Sequence, residues 1–418
     1  MKRSNYYLQT VATAPKDEQS VNAKLLVQAG FVNKLSAGIY SLLPLGFKVL
    51  KKIENIIRDE MEKVGGQELF LPSMHPAKNW EKTGRLTSYE DIYKLKEGDR
   101  EFVLGPTHEE VIVPLAKSFI RSYRDLPLAL FQFQNKFRKE LRAKSGLMRG
   151  REFLMKDLYS FHGNEKDLDV FYDKMTESYQ NIFRRIGLSE KTFLTFASGG
   201  SFSRYSHEFQ TLTEAGEDLI YICDKCNLAV NKEILDDLKH ACPKCGNKNL
   251  REEKAVEVGN IFKLNTKYSA PFDLSFVDPK GEKKTVIMGC YGIGLQRLIG
   301  TLAEVFSDEK GLVWPKSVAP FQACLISLGV EKDEKVNKTT ESLYEDLTKA
   351  GIEILYDDRA VSPGEKFSDA DLIGLPMRIV VSPKTLANNS IEIKARTEKD
   401  SALIDREKAI KTIVSMLK

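Results

Sequence analysis

The sequence predicts an α/β protein: an α+β domain on an antiparallel sheet flanked by helices, a small four-cysteine zinc-ribbon insert, and a C-terminal α/β domain. Three observations carry that expectation. Leu128–Phe137 and residues 152–161 set apolar among polar side chains on either side of a basic loop, as two antiparallel strands do. Cys223, Cys226, Cys242 and Cys245 form two CxxC pairs fifteen residues apart. Beyond residues 314–320, where two prolines flank a change of pattern, short apolar runs alternate with helix-length segments, which predicts a small domain with a largely parallel sheet. The expected bounds are therefore 1–216, 217–252, 253–315 and 320–418.

The 418 residues, 42% hydrophobic and 29% charged, suit an ordinary globular chain of two or three domains. Lys and Arg number 63 against 59 Asp and Glu, so any RNA-binding face must come from local clustering rather than net charge. The first twenty residues lack the apolar core of a secretory signal, and no stretch approaches the ~20 apolar residues of a membrane span. A cytoplasmic protein with no membrane partner is expected. Six cysteines in a chain of this size do not suggest a disulfide scaffold.

Taken in order, residues 18–30 form a helix closed by a glycine. Residues 46–64 form a second, with Val49, Ile53, Ile56, Ile57 and Met61 on one face, stopped by Gly65 and Gly66. An apolar strand broken at Pro72 follows. Gly105 and Pro106 then fix a turn that presents Thr107, His108, Glu109 and Glu110 ahead of a helix at 111–120. The plain reading is an N-cap by Thr107 with acidic residues in the first turn. The sharper reading is a hydroxyl and a carboxylate converging on an ammonium.

In the basic loop, Arg138, Arg142, Lys144, Arg149 and Arg151 face only Glu140, and such a loop repels itself unless an anion supplies the missing charge. Arginine's planar fork of donors suits phosphate oxygens. A solvated basic hairpin is the plainer alternative. A helix at 167–186 leads into a glycine- and serine-rich loop holding His207 and Glu208. The two CxxC pairs come next. Four thiolates close a tetrahedral zinc site with no open position, which makes structural Zn2+ the expectation and a pair of redox dithiols the alternative. A half-buried strand at 257–269 precedes a glycine-rich strand-to-helix turn at 288–297, ordinarily a packing feature, in which Cys290 is a packed small residue. The C-terminal elements fall at 322–328, 335–350, 352–356, 365–373, 378–381, 391–395 and 405–417.

Phe137-Arg138-Lys139-Glu140, a loop, then Arg149 and Phe153 resemble motif 2 of the class II aminoacyl-tRNA synthetases. Residues 36–76 resemble motif 1, and Gly292-Ile293-Gly294 with Arg297 resembles motif 3. GPTHEE at 105–110, TGR at 83–85 and GREFLMKDLYSF at 150–161 are similar to the bacterial prolyl-tRNA synthetases in particular. The resemblance implies that ATP, as its Mg2+ complex, is held by Arg138, Glu140, Arg149, Arg151, Phe153, Glu257, Asn260 and Arg297. Arg138 and Arg297 are the catalytic pair, and proline lies among Thr107, Glu109, Arg138 and Phe262. The implied reaction forms prolyl-adenylate and passes the prolyl group to the 3′ end of tRNA(Pro). That chemistry asks for positioning and charge neutralisation rather than proton transfer.

The resemblance also implies a homodimer through motif 1, and an anticodon-binding C-terminal domain with exposed Arg359, Lys366 and Phe367. Phe202-Ser203 replace a glycine pair of the family, Asn260 a histidine and Asn265 a glycine. Family-like sequence resumes by Glu257 without the long editing domain many bacterial members carry, so no hydrolysis of alanyl-tRNA(Pro) in cis is expected. A threonyl enzyme, the first rival, needs a catalytic zinc on one cysteine and two histidines. With five histidines and four clustered cysteines, no such set is evident. The second rival is an inactive RNA-binding paralogue, a kind of protein that tends to lose its phosphate arginines.

Overall fold

A computed structural model describes residues 1–15, 18–141, 145–200, 202, 204–329 and 333–417. Arg142, Lys144 and Ser203 lie outside them. The chain divides into two compact units, Ser36–Tyr40 with Ile53–Thr301, and Met1–Leu35 with Ser41–Lys52 and Leu302–Lys418.

The first unit is built on a nine-stranded sheet. Helix α1, Pro44–Lys63, enters it at Ile53 and buries Ile53, Ile57 and Met61, the stripe its period foretells. The expected apolar strand after it is reduced to β1, Gln67–Glu68, which pairs parallel with β2, Leu128–Phe137. Pro72 cannot donate to a ladder, and Met74–Pro76 instead joins a separate three-stranded sheet with Tyr93–Glu97 and Arg100–Leu104. Helix α2, Glu109–Lys117, follows the GPTH turn. Its N-cap is His108, with no side-chain cap bond, so the expected capping by Thr107 does not occur.

The pair β2 and β3, Glu152–His162, is antiparallel from Leu128 opposite Phe161 to Phe137 opposite Glu152, which puts the basic loop at its tip. Helix α3, Glu165–Arg185, opens with Asn164 capping the Asp167 amide and buries Phe171, Tyr172, Met175, Tyr179 and Ile182. Strands β4, Thr192–Ser198, and β5, Tyr205–Leu212, flank the glycine- and serine-rich loop, with His207 and Glu208 near the start of β5. β6, Asp218–Cys223, and β7, Ala229–Asn231, belong to the cysteine insert. β8, Leu250–Asn265, is a long strand that pairs with β6 at its start and with β9, Ile287–Gly294, at its end. The sheet order is β5-β4-β7-β6-β8-β9-β3-β2-β1. β9 sets Gly294 opposite Met155 of β3, so helix α4, Leu295–Val305, starts beside the arms of the basic hairpin. Below the sheet, Ile112, Tyr159, Phe262, Leu264, Tyr268 and Met288 form one apolar cluster.

The second unit carries β10, Ala323–Ser327; α5, Glu334–Lys349; β11, Ile354–Asp357; α6, Pro363–Ile373; β12, Met377–Val381; β13, Ser390–Ala395; β14, Ala402–Asp405; and α7, Ala409–Leu417. The order is β11-β10-β12-β13-β14. β10 runs parallel to β11 and β12, whereas β13 is antiparallel to β12 and β14, so the largely parallel sheet expected is a mixed one. The N-terminal segment belongs to this unit: Arg3 is buried, with ion pairs to Asp357 at 3.2 Å and Asp369 at 2.7 Å. Among the described residues, no helix is long and apolar enough to cross a membrane.

Candidate active site

Strand register brings the basic hairpin and the glycine-rich turn to one cleft, lined by Arg138, Glu140, Arg149, Phe153, Glu257, Asn260 and Arg297. The Arg138 guanidinium lies 5.2 Å from the centre of the Phe153 ring and donates to the Pro106 carbonyl at 3.3 and 3.4 Å. Arg297 Nε donates to the Met148 carbonyl at 2.9 Å and Nη1 to the Glu257 carbonyl at 2.8 Å. These bonds fix the fork while leaving the side chain partly exposed to the cleft. Asn260 Nδ2 donates to Glu257 at 2.7 Å. Gly292 forms part of the floor, where a Cβ would come within 2.4 Å of Met155 Cε and 2.9 Å of Asn260 Oδ1.

Two expectations about the loop need correction. Part of its charge is met from within the protein: Arg149 pairs with Glu140 at 2.7 Å and with Glu217, which lies outside the loop at the start of β6. Arg151 does not line the cleft; its Nε donates to the Glu140 carbonyl at 3.0 Å and so secures the loop that carries Glu140.

Next to Arg138, the Thr107 turn forms a buried polar cluster. Thr107 Oγ1 donates to Glu109 Oε2 at 2.5 Å, and both residues are buried. Arg85, to which the sequence assigned no role, reaches the same carboxylate at 3.2 Å and that of Glu110 at 3.0 Å. Burial raises the Glu109 pKa, but the Arg85 charge and the Thr107 hydrogen bond outweigh it and hold the group below the usual carboxylate range. Glu110 is pushed up to about 7 by burial and then by Glu109. One anionic charge thus concentrates on Glu109, as cation recognition requires. Phe262 stacks on Phe202 at 4.7 Å, and the Arg85 guanidinium lies 5.5 Å from the Phe202 ring, which puts Phe262 at the apolar side of this cluster. A guanidinium five residues after Trp80 and four before Tyr89 was the available sign of Arg85. The Phe202-Ser203 departure therefore places a ring where the family has glycine. Asn265 sits at φ +50°, a conformation that favours glycine and that asparagine tolerates, so that departure costs little.

The four cysteines converge at the ends of β6 and β8. Their sulfurs lie 3.5 Å apart for Cys226 and Cys242, 3.6 Å for Cys223 and Cys245, and 3.7 Å for Cys226 and Cys245. A tetrahedron with Zn–S bonds of about 2.3 Å has an edge of about 3.8 Å, so the donor set fits one zinc ion. The cluster is the one group of potential metal ligands among the described residues whose donor atoms all lie within 4.8 Å of one another.

In the second unit the expectation of three exposed anticodon contacts is corrected. Lys366 is buried and donates to the carbonyls of Ser327 at 2.8 Å and Asp357 at 3.1 Å. Arg359 is half-buried, with ion pairs to Asp357 and Asp369 at 2.8 Å each. Phe367 is half-buried, and the Arg378 guanidinium lies 4.6 Å from its ring. Two carboxylates buried near Arg3 demand these cations internally, a demand that sequence cannot show.

The fold and the cleft define a class II aminoacyl-tRNA synthetase. The tRNA synthetase class II core domain (G, H, P, S and T) family matches residues 92–306, and the anticodon binding domain family matches 322–416. The chain is 32% identical to the proline--tRNA ligase of Geobacter sp. (strain M21) over 570 residues, covering 100% of this chain and 99% of that protein. It is 33% identical to that of Caldicellulosiruptor saccharolyticus, covering 100% and 98%. Against 418 residues, the 570-residue span leaves about 150 positions of the Geobacter alignment without a counterpart here. Prolyl-tRNA synthetase from Cryptosporidium parvum, solved with L-proline and AMP, shares the fold at TM-score 0.78 and 20% identity over 95% of this chain and 74% of that one. The Giardia lamblia enzyme in complex with prolyl-adenylate does so at 0.79 and 21%, over 95% and 79%. The chain belongs to the prolyl-tRNA synthetase family.

Proposed function

We propose that this protein is a proline–tRNA ligase that joins proline to ATP as prolyl-adenylate and passes the prolyl group to the 3′ end of tRNA(Pro). One observation carries the assignment to residues: Arg138, Arg149 and Arg297 line one cleft, and the carbonyl Arg138 holds belongs to Pro106, next to Thr107 of the carboxylate cluster. Activation brings two anions together, the proline carboxylate and the α-phosphate, so the enzyme's work is to neutralise and align them. Arg138 lies where it can serve both. Arg297 and Arg149 neutralise the outgoing pyrophosphate, Phe153 stacks on adenine, and Glu140, once released from Arg149, accepts from the adenine amino group. Glu257 and Asn260 bound the ribose and phosphate side, and the Mg2+ that accompanies ATP offsets remaining phosphate charge. Thr107 and Glu109 receive the imino group, and Phe262 with Phe202 closes on the ring.

The domain limits given above, structural zinc in the four-cysteine insert, a cytoplasmic site of action and the absence of cis editing belong to the same proposal. The last is supported by the roughly 150 positions of the Geobacter alignment that have no counterpart here. A homodimer is supported by apolar side chains exposed in the first unit, Phe70 at 78%, Phe119 at 69% and Met74 at 51%. For the anticodon, Arg359 and Phe367 stay candidates, while Lys366 acts as an internal tie.

Proline-dependent pyrophosphate exchange tests the reading. Arg138→Ala and Arg297→Ala should each lower kcat/KM by roughly 100-fold or more, the effect of deleting one preorganised donor. ATP binding at wild-type affinity in both variants would refute the site.

A further inference from the structure

We propose that Arg85 is a positioning residue for the substrate's imino nitrogen: it fixes the Glu109 carboxylate so that one oxygen remains to receive that group. The inference rests on the reading that Thr107 and Glu109 form the imino pocket.

Arg85 begins a one-turn helix, Arg85–Ser88, after Gly84 in a left-handed conformation, and its side chain is buried. Its Nη1 lies 3.2 Å from Glu109 Oε2 and 3.0 and 3.2 Å from the two oxygens of Glu110. Thr107 donates to that same Glu109 oxygen. Oε2 is therefore occupied by two donors, whereas Oε1 faces the Cys290 thiol at 3.5 Å, a weak donor that leaves lone pairs for a stronger one. Thr83 Oγ1 donates to Glu110 Oε1 at 2.9 Å and keeps the second carboxylate on the Arg85 side.

The rest of the guanidinium is held by rings rather than hydrogen bonds. Tyr89, Trp80, Tyr268 and Phe202 lie 4.8, 5.1, 5.3 and 5.5 Å from it, and Nε and Nη2 have no hydrogen-bond partner among the described residues. Four aromatic rings fix the plane of the fork, and with it the direction of Glu109. Charge fits the same purpose. Arg85 is drawn toward Glu109 and Glu110 alike, and Lys136 nearby is engaged by Asp157, so no cation is committed to Glu109 alone. Because Phe202 touches both Arg85 and Phe262, the charged anchor and the apolar wall share one side chain.

Pyrophosphate exchange with Arg85→Met, Arg85→Lys and Glu109→Gln tests the proposal. Breaking a buried charge pair should raise the KM for proline roughly 30-fold in Arg85→Met, while kcat and the KM for ATP stay within about 3-fold. Lysine keeps the charge in the ring cage but is a point charge that cannot fork, so Arg85→Lys should fall between wild type and Arg85→Met. It also serves as the test if Arg85→Met does not fold. A merely structural role would lower thermal stability and kcat together, without a selective effect on proline. Wild-type proline KM in either folded Arg85 variant overturns the inference, as does a loss shared equally by ATP. If Glu109→Gln raises the proline KM and the Arg85 variants do not, Arg85 alone is misassigned. If Glu109→Gln leaves it unchanged, the imino pocket itself is wrong.

Discussion

Stripping zinc from the four-cysteine insert should loosen residues 224–249 and little else. An ion on the four cysteines would close the fifteen residues between Cys226 and Cys242, and their apolar support is small: Val230, Ile234 and Leu235, with Phe196, Tyr205, Tyr221, Leu238 and Leu250 packed at the margin. A cross-link closing a loop of that length is worth about 3 kcal/mol of chain entropy. At about 1.4 kcal/mol per factor of ten, its loss should speed amide exchange across the insert by roughly 100-fold. The rest of the sheet has its own ladders, β2 with β3 over ten residue pairs among them, and should keep its protection. Hydrogen exchange followed by mass spectrometry, on zinc-loaded protein with and without chelator, reads both regions at once. Unchanged exchange in 224–249 after complete zinc removal, or a purified protein holding far less than one zinc per chain, would refute the argument.

Three further outcomes are expected. Glu217→Gln removes one of the two anions that hold Arg149, and since exposed ion pairs are worth about 0.2–1 kcal/mol, the KM for ATP should fall by up to about 5-fold; a rise would show that Glu217 assists ATP instead. Glu208 has its pKa pushed up to about 9, by burial first and by Glu257 second, so the folded protein holds this proton more tightly than the unfolded chain does. The stability tied to that proton is complete below the ordinary carboxylate pKa and is lost as pH rises through about 9. Glu208→Gln, which imitates the protonated form, should therefore melt near wild type at pH 5 and increasingly above it toward pH 9, and a pH-independent difference in Tm would contradict this. Finally, the purified protein should deacylate alanyl-tRNA(Pro) no faster than buffer.

Features fixed by local chemistry were legible in the sequence. The stripe of Ile53, Ile57 and Met61 reports a helix because its period survives any tertiary context, and the CxxC spacing reports the four-cysteine cluster because each pair turns two thiols toward one point. The strand limits Leu128–Phe137 were recovered in full for the same reason. What stayed hidden depends on distant partners. Strands Thr192–Ser198 and Tyr205–Leu212 flank a Gly-Ser segment that reads as loop, and only pairing with each other and with β8 settles them. Lys366 reads as solvent-exposed until Ser327 and Asp357 offer carbonyls to it. Arg85 stood in a quoted motif, yet its purpose depends on four rings and two carboxylates drawn from separate stretches.

The buried Arg3 has a consequence for how the chain is made. Its carboxylate partners, Asp357 and Asp369, are more than 350 residues later, so at about 5–20 residues per second the guanidinium leaves the ribosome roughly 20–70 seconds before they do. The unit between them, ending at Thr301, is fully synthesised in that interval and is free to fold first. The segment around Arg3 is thus among the last to find its place.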